Sequence, residues 1–254
     1  MSDLTDYLVF DIMGDLCFGK SFERKEPGEN PFRHMPHTIA DFMQFMYPLL
    51  FYVARYPGVY AKLVEEIRKT FKLADDIQTG TTLSSCKYLQ ACIEEALRVM
   101  PAGVGELARE VLPGGLDIEG IQIPEGAHVS VTAWSIMHNQ ECFGDPWVFR
   151  PERWIADSRA GETTEDVARA RTAFNPFTIG PGNCVGQKFA MEELLVTVAR
   201  TLHRMDVRIA PGNSLGGGAS KLGWGLRDKD HIVLKDSYVS IRNGPMVQFR
   251  NRVT

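Results

Sequence analysis

Apolar and charged positions follow a helical period in several stretches of the chain. The clearest is 60–72, where one face is apolar and the opposite face carries Glu and Lys side chains. The same reasoning predicts further helices over 4–20, 36–54, 89–100 and 187–205. The front of the chain is therefore predicted to be largely helical.

Short alternating stretches in the second half predict strands. Residues 116–118 and 121–124, joined through Glu119-Gly120, predict a β-hairpin, and 127–131 predict a further strand. The stretch 138–154, rich in Pro, Gly and aromatic residues, is predicted to be irregular, and the tail 207–253 to combine glycine-rich turns with short strands such as 246–249. The predicted fold class is mainly α with small β-sheets (α+β). No repeat or low-complexity linker divides the chain.

Composition narrows the function classes. The 254 residues are 44% hydrophobic with a net charge of -4, which is typical of a globular protein and argues against nucleic acid as a partner. Five scattered cysteines without a C-x-x-C pair indicate a reducing compartment and no structural zinc. The longest apolar run, 39–54, contains Asp41 and Pro48 and is shorter than the roughly 20 residues of a membrane span, so none is predicted.

One cysteine differs from the others in its surroundings. Cys184 lies in the decapeptide FTIGPGNCVG at 177–186, immediately before the predicted helix 187–205. The helix N-terminus favours a thiolate, and the glycines allow positive φ or a close approach to something flat. Such a sulfur is a nucleophile or a metal ligand. The alternative is a buried structural cysteine in a glycine-rich turn.

A second candidate feature is an acidic and a basic residue on one helix face. Glu95 and Arg98 are three residues apart in the predicted helix 89–100 and can pair there. The same spacing occurs twice more, at Glu65/Arg68 and Glu106/Arg109. We interpret the pair at 65 and 68 as an ordinary one on a solvated helix face.

The spacing Phe-x-x-Gly-x-x-x-Cys-x-Gly, formed by Phe177, Gly180, Cys184 and Gly186, resembles the haem-binding loop of the cytochrome P450 (haem-thiolate monooxygenase) family, where the cysteine is the axial iron ligand. The order of the segments resembles the family too. The Glu-x-x-Arg at 95–98 precedes Met100-Pro101, a strand-rich stretch, the segment FRPERW at 149–154 and finally the cysteine loop. Several segments are most similar to filamentous-fungal members.

The resemblance implies roles for particular residues. Cys184 would be the iron ligand, and Phe177, Gly180 and Gly186 would shape the cofactor loop. Arg109 would bind a haem propionate. The resemblance also implies a buried structural ion network, which consists of Glu95, Arg98 and Arg153. Family members often carry Arg or His two residues before the cysteine, whereas this chain has Gly182, from which we expect weaker haem retention.

The resemblance covers almost the whole chain, but the chain does not cover the whole family fold. We expect one partial cytochrome P450 domain over 1–254, with an N-terminal helical part at 1–48 and a C-terminal haem-binding part at 49–254. The first helices and the first strands of the family fold are not recognised. The long distal helix with its acid-threonine pair is also not recognised, and the expected junction lies around Pro48 to Leu50.

By resemblance, the chain is a monooxygenase that uses O2, with electrons from NADPH through NADPH-cytochrome P450 reductase, to oxidise a small hydrophobic substrate in fungal secondary metabolite biosynthesis. Basic residues near the cysteine loop, Lys188, Arg200 and Arg204, border the expected reductase site or form a solvated helix face. Two alternatives remain open: a truncated haem-binding relative with impaired catalysis, and a cysteine-nucleophile enzyme. Family members are anchored in the endoplasmic reticulum, and a chain without that anchor is compatible with the cytoplasm.

Overall fold

The computed structural model describes residues 46–157, 161–223, 226–235, 241–242 and 244–252. Within these ranges the α-helices are α1 (Met46–Val53), α2 (Pro57–Thr70), α3 (Thr81–Ser84), α4 (Lys87–Val99), α5 (Ala133–Met137), α6 (Gln140–Phe143), α7 (Thr164–Ala173) and α8 (Gln187–Arg204). The helices predicted over 60–72, 89–100 and 187–205 are confirmed as α2, α4 and α8. The predicted helix 4–20 and the first part of 36–54 lie outside the described residues.

Helix α4 lies at the centre of the main hydrophobic core. Every residue from Ala91 to Val99 is buried, because α1, α2 and α8 all pack against this helix. The apolar stripe predicted on α2 faces this core through Leu63 and Ile67. A helix buried all round can carry charged residues only where they are paired, which places Glu95 and Arg98 under a strong constraint.

Two charged side chains of α2 fix its neighbours. The carboxylate of Glu66 accepts the backbone N–H groups of Tyr88 (2.9 Å) and Leu89 (2.8 Å), so it caps the N-terminus of α4. Arg68 donates to the Leu202 carbonyl at the end of α8 (2.9 Å) and pairs with Asp206 (2.8 Å). The interpretation of Arg68 as a solvated helix-face residue paired with Glu65 is therefore wrong.

The described strands form four two-stranded antiparallel sheets. The strands are β1 (Arg109–Glu110), β2 (Leu116–Ile118), β3 (Ile121–Ile123), β4 (His128–Val129), β5 (Met205–Ile209), β6 (Leu234–Lys235), β7 (Ile241–Arg242) and β8 (Val247–Asn251). Strands β2 and β3 confirm the predicted hairpin. The strand predicted over 127–131 shortens to β4 and pairs with β1, where Arg109 lies opposite Val129. The tail strand becomes β8 and pairs with β5.

The stretch predicted to be irregular is largely so. It contains the short helix α6 and a 3-10 turn over Pro151–Trp154. Helix α7, which was not predicted, begins with a capping box in which Thr163 and Asp166 bond each other's backbone N–H groups. None of the helices in the described ranges combines the length and the apolar character needed to cross a bilayer.

Candidate functional site

The structure brings Glu95, Arg98 and Arg153 together in the core. Glu95 and Arg98 are both fully buried, and the guanidinium donates to both carboxylate oxygens, with Nε to Oε2 at 3.0 Å and Nη2 to Oε1 at 2.9 Å. Arg153 Nε donates to Oε1 at 3.0 Å. One carboxylate therefore joins two guanidinium groups from helix α4 and from the 3-10 turn over Pro151–Trp154.

Two further donors complete the shell of Glu95. The indole Nε1–H of Trp154 donates to Oε2 (3.0 Å), and the backbone N–H of Arg150 donates to Oε1 (2.9 Å). Sequence reasoning missed both of them. A lone tryptophan gives no sequence signal that identifies its hydrogen-bond partner. Trp154 does directly follow Arg153, however, and lies on the same turn.

The remaining donors of the two arginines bind backbone carbonyls. Arg98 Nη1 donates to the Met137 carbonyl (2.9 Å), and Arg153 Nη1 donates to the Phe143 carbonyl (2.7 Å). Arg153 Nη2 also reaches the carboxylate of Asp145 (3.0 Å). The cluster thereby attaches the irregular stretch 138–154 to helix α4.

Electrostatics favour a charged Glu95 despite its burial. Burial acts to raise the pKa of this carboxyl, but Arg98 and Arg153 and the hydrogen bonds to it outweigh burial and lower the pKa overall. The pKa of Asp145 is likewise lowered, since Arg153 and Arg150 outweigh its desolvation. The cluster is thus an ionised one in which each buried charge has a partner.

A chain of contacts leads from this cluster to the cysteine loop. The rings of Trp154 and Phe174 lie 4.7 Å apart, and the guanidinium of Arg171 lies over the indole at 4.8 Å. Phe174 follows the end of α7, directly before the loop at 177–186. Phe177 at the start of that loop is buried in the main core and anchors it.

The cysteine loop is held by its own backbone. The Cys184 N–H donates to the Phe177 carbonyl (2.9 Å), and the Asn183 N–H donates to the Gly180 carbonyl (3.0 Å). The hydroxyl of Thr178 also donates to the Gly182 carbonyl. Thr178 and Gly180 both have positive φ, at 62° and 69°, so the turn uses the conformational freedom of glycine at Gly180. The loop is a closed turn that presents the thiol outward.

Two exposed apolar side chains belong to the same loop as the thiol. Cys184 is exposed, and Ile179 and Val185 of this loop are 75% and 90% exposed. Gly186 lies beside the sulfur, since a Cβ there would be in van der Waals contact with the Cys184 Sγ at 3.8 Å. The loop therefore carries exposed apolar surface as well as an exposed thiol.

Arg109 lies beside this loop although it is 75 residues away in sequence. Its Nη1 donates to the backbone carbonyls of Leu107 (2.9 Å) and Ala108 (3.1 Å), and its Nη2 lies close to Gly182. The side chain is exposed and makes no ion pair with Glu106 or any other described residue. A cation is therefore available at the rim of the Cys184 loop.

Two of the three basic residues predicted near the cysteine loop bond other parts of the chain. Arg200 donates to the Ile77 carbonyl (2.9 Å) and Arg204 pairs with Asp75 (2.6 Å), while Lys188 is exposed. Across the described ranges, no group of three or more His, Cys, Asp or Glu is placed to hold a metal ion. His203 is bonded to the Phe71 carbonyl (3.1 Å), and no histidine of the described part bonds the Cys184 thiol, which disfavours a cysteine nucleophile.

Comparisons with known proteins identify a family and several relatives. The profile of the cytochrome P450 family matches residues 46–217. A cytochrome P450 monooxygenase of Gibberella zeae is 37% identical over 207 residues, which is 81% of this chain and 46% of the relative. Cytochrome P450 monooxygenase AKT7 of Alternaria alternata is 38% identical, with 79% of this chain and 39% of the relative covered.

A third relative is cytochrome P450 monooxygenase apf8 of Gibberella fujikuroi, which is 38% identical over 80% of this chain and 54% of the relative. The chain thus spans about half the length of the curated relatives it matches. All three relatives are fungal proteins.

Proposed function

Because the chain belongs to the cytochrome P450 family, we propose that its described residues form the cysteine-ligand side of a haem-thiolate monooxygenase, with Cys184 as the axial ligand. One observation carries the proposal: an exposed thiol stands on a closed loop that also carries the exposed side chains of Ile179 and Val185, and the guanidinium of Arg109 lies next to Gly182 of the same loop. The three features match the three parts of haem, namely its iron, its apolar ring and its carboxylates.

The residues present fit the group. Thiolate sulfur is a ligand that iron accepts, and exposed Ile179 and Val185 would cover the apolar macrocycle. Arg109 would hold a propionate by a charge-assisted hydrogen bond. Gly180 shapes the turn, Gly186 lies beside the sulfur, and Phe177 anchors the loop in the core.

Haem, when bound, would supply the activation of O2 and the oxidation of the substrate. The chain's own residues hold and shield it. The carbonyl of Phe177 accepts the N–H of Cys184, which fixes where the sulfur points. The Glu95 cluster fixes the stretch 138–154 and, through Trp154 and Phe174, the residues that lead into the loop. We assign Glu95, Arg98 and Arg153 to this structural role.

For the whole protein, we propose oxidation of a small hydrophobic substrate in fungal secondary metabolite biosynthesis, with O2 and electrons from NADPH delivered by NADPH-cytochrome P450 reductase. The support is the family and the fungal relatives, which are cytochrome P450 monooxygenases. The second candidate is a haem-binding relative with impaired catalysis. Its support is that the acid-threonine pair of the family's distal helix is not recognised in the sequence.

A difference spectrum tests the thiolate ligand. The purified chain is supplied with hemin, reduced and exposed to carbon monoxide. We expect the red-shifted band of a thiolate ligand in the native chain and in the control variant Cys142→Ala. The band should be lost in Cys184→Ala. Cys142 is a suitable control because it is a free cysteine outside the loop. A band that persists in Cys184→Ala rejects Cys184 as the ligand.

Turnover separates the two candidate functions. With NADPH and the reductase present, the monooxygenase predicts NADPH consumption that depends on a hydrophobic substrate and on Cys184. A thiolate spectrum without any such consumption supports the impaired relative instead.

A further inference from the structure

Helix α7 is joined to α4 by an ion pair that does not belong to the Glu95 cluster. Arg171, in the last turn of α7, binds both carboxylate oxygens of Glu94, with Nη1 to Oε1 at 2.7 Å and Nη2 to Oε2 at 2.6 Å. Among the described residues, these are the only hydrogen bonds between the two helices. Glu94 is 4% exposed, and its other donor is the side-chain amide of Gln90 (3.0 Å). The pair therefore holds α7 on α4 through donors that Glu95 does not share.

The guanidinium of Arg171 has two kinds of partner. A bidentate pair fixes the orientation of the guanidinium as well as its distance from the carboxylate. Its Cζ also lies 4.8 Å from the centre of the Trp154 indole, which is a cation–π contact. The same indole is bonded to Glu95 through its Nε1–H. Arg171 is therefore held by a buried carboxylate and by an aromatic ring that is itself fixed, although 40% of its side chain is exposed.

Backbone hydrogen bonds connect Arg171 to the residue that carries the thiol. The Arg171 carbonyl accepts the N–H of Phe174 (3.3 Å), which ends α7, and the Phe174 ring packs on Trp154 at 4.7 Å. Three residues later, the Phe177 carbonyl accepts the N–H of Cys184 (2.9 Å). The end of α7 therefore sets where the loop 177–186 begins, and the closed turn of the loop carries that position to the sulfur.

We propose that Arg171 is a positioning residue for the Cys184 thiol, because its pair with Glu94 fixes the end of α7 and thereby the direction in which the loop presents the sulfur. The inference rests on the proposed function, in which this sulfur is the axial ligand. A ligand atom keeps a productive geometry only when the residues that support it are themselves fixed. A loop whose start can shift should therefore hold less of the thiolate-bound form.

The variants separate this ion pair from other charges of α7. Arg171→Met removes the guanidinium but keeps an apolar stem, and Glu94→Gln removes the charge that the guanidinium binds. The double variant lacks both partners. Arg169→Met is the matched control, because Arg169 lies on the same helix and pairs with Asp166 within that helix.

The first measurement is the carbon monoxide spectrum of the reduced, hemin-loaded chain, in which thiolate-bound and thiol-bound iron give separate bands. We expect the ratio of the thiolate band to the thiol band to fall about twofold in Arg171→Met and in Glu94→Gln, with the same fall in the double variant. Arg169→Met should keep the native ratio. A merely structural residue would lower the stability of the fold without changing this ratio in protein that is folded and loaded.

The second measurement needs no ligand. Hydrogen–deuterium exchange read by mass spectrometry reports local opening of the backbone, and residues 174–186 are compared with strand β8. We expect exchange in 174–186 to be about fivefold faster in Arg171→Met, because a charge-assisted pair is lost there, and exchange in β8 to stay native. Arg169→Met should exchange at the native rate in both segments.

A native band ratio in Arg171→Met overturns the proposal, as does a further fall in the double variant. Native exchange in 174–186, or equal acceleration there and in β8, overturns it too, since the ion pair would then act on nothing or on the whole fold. A native chain that binds no hemin refutes the proposed function instead. In that case faster exchange confined to 174–186 still supports the control of the loop by Arg171, and native exchange there rejects it.

Discussion

Replacing Glu95 by glutamine tests whether the buried cluster holds the fold together. The amide keeps the shape of the carboxylate but offers one acceptor oxygen in place of two. Whichever way it is turned, its NH2 group faces donors. In one orientation these are Arg98 Nε and Trp154 Nε1, and in the other they are the groups that now bond Oε1. The two buried guanidinium groups also lose their shared negative charge.

The expected cost follows from this loss. Removing one partner of a buried ion pair costs about 3 to 5 kcal/mol, mostly because the remaining charge is left unpaired. Arg153 keeps Asp145 as a second partner, whereas among the residues that the structure describes only Glu95 offers Arg98 a carboxylate. We therefore expect Glu95→Gln to lower the free energy of unfolding by about 3 kcal/mol, a large part of the total for a typical domain.

Urea unfolding followed by far-ultraviolet circular dichroism measures this change. With a slope of about 3 kcal/mol per molar urea, the midpoint should fall by roughly 1 M. Glu65→Gln is the matched control, because Glu65 is exposed on α2 and should change stability by less than about 0.5 kcal/mol. Equal midpoints for the two variants would refute the account of the cluster.

Two further changes follow from buried polar contacts. Burial, the largest effect, lowers the pKa of His138 to about 4, below the value of about 6.5 for an unperturbed histidine. The contribution of the neutral, buried imidazole to the free energy of unfolding is therefore present above about pH 6.5 and is lost as pH falls toward 4. His138→Gln should remove on the order of 2 kcal/mol of this pH dependence from urea midpoints, while the exposed His128→Gln should not. Arg68→Met should lower the free energy of unfolding by about 2 kcal/mol, because donors to the end of α8 are lost. The exposed Lys69→Met should be near neutral, and equal losses in the two would show that the contacts of Arg68 do not matter.

Local sequence patterns were sufficient for the long elements. Helices α2, α4 and α8 follow from apolar spacing alone, and the hairpin β2–β3 follows from its turn at Glu119-Gly120. Helix α7 has few apolar residues, so its period is weak. Its capping box at Thr163 and Asp166 is a local signal for the start of a helix, which apolar periodicity alone does not reveal.

Long-range partners were beyond any local pattern. The spacing of Glu65 and Arg68 suggests a pair on one helix face, yet Arg68 instead bonds Asp206, 138 residues away. Trp154 reaches Glu95 across 59 residues, and only packing of the irregular stretch on α4 creates that contact. Gly182 could be noticed in the sequence as a departure from the family, but its proximity to the Arg109 guanidinium could not.

The hydrogen-bond partners of Glu95 are far apart in sequence, which has a consequence for synthesis on the ribosome. Arg98 is three residues away and can pair as soon as α4 forms, but the Arg153 and Trp154 donors follow 58 and 59 residues later. A nascent chain that has not yet released Trp154 from the exit tunnel therefore carries Glu95 with Arg98 as its partner but without the Arg153 and Trp154 donors. Premature termination before that codon would leave a fragment that cannot bury α4, and quality-control proteases would meet it as an exposed hydrophobic segment.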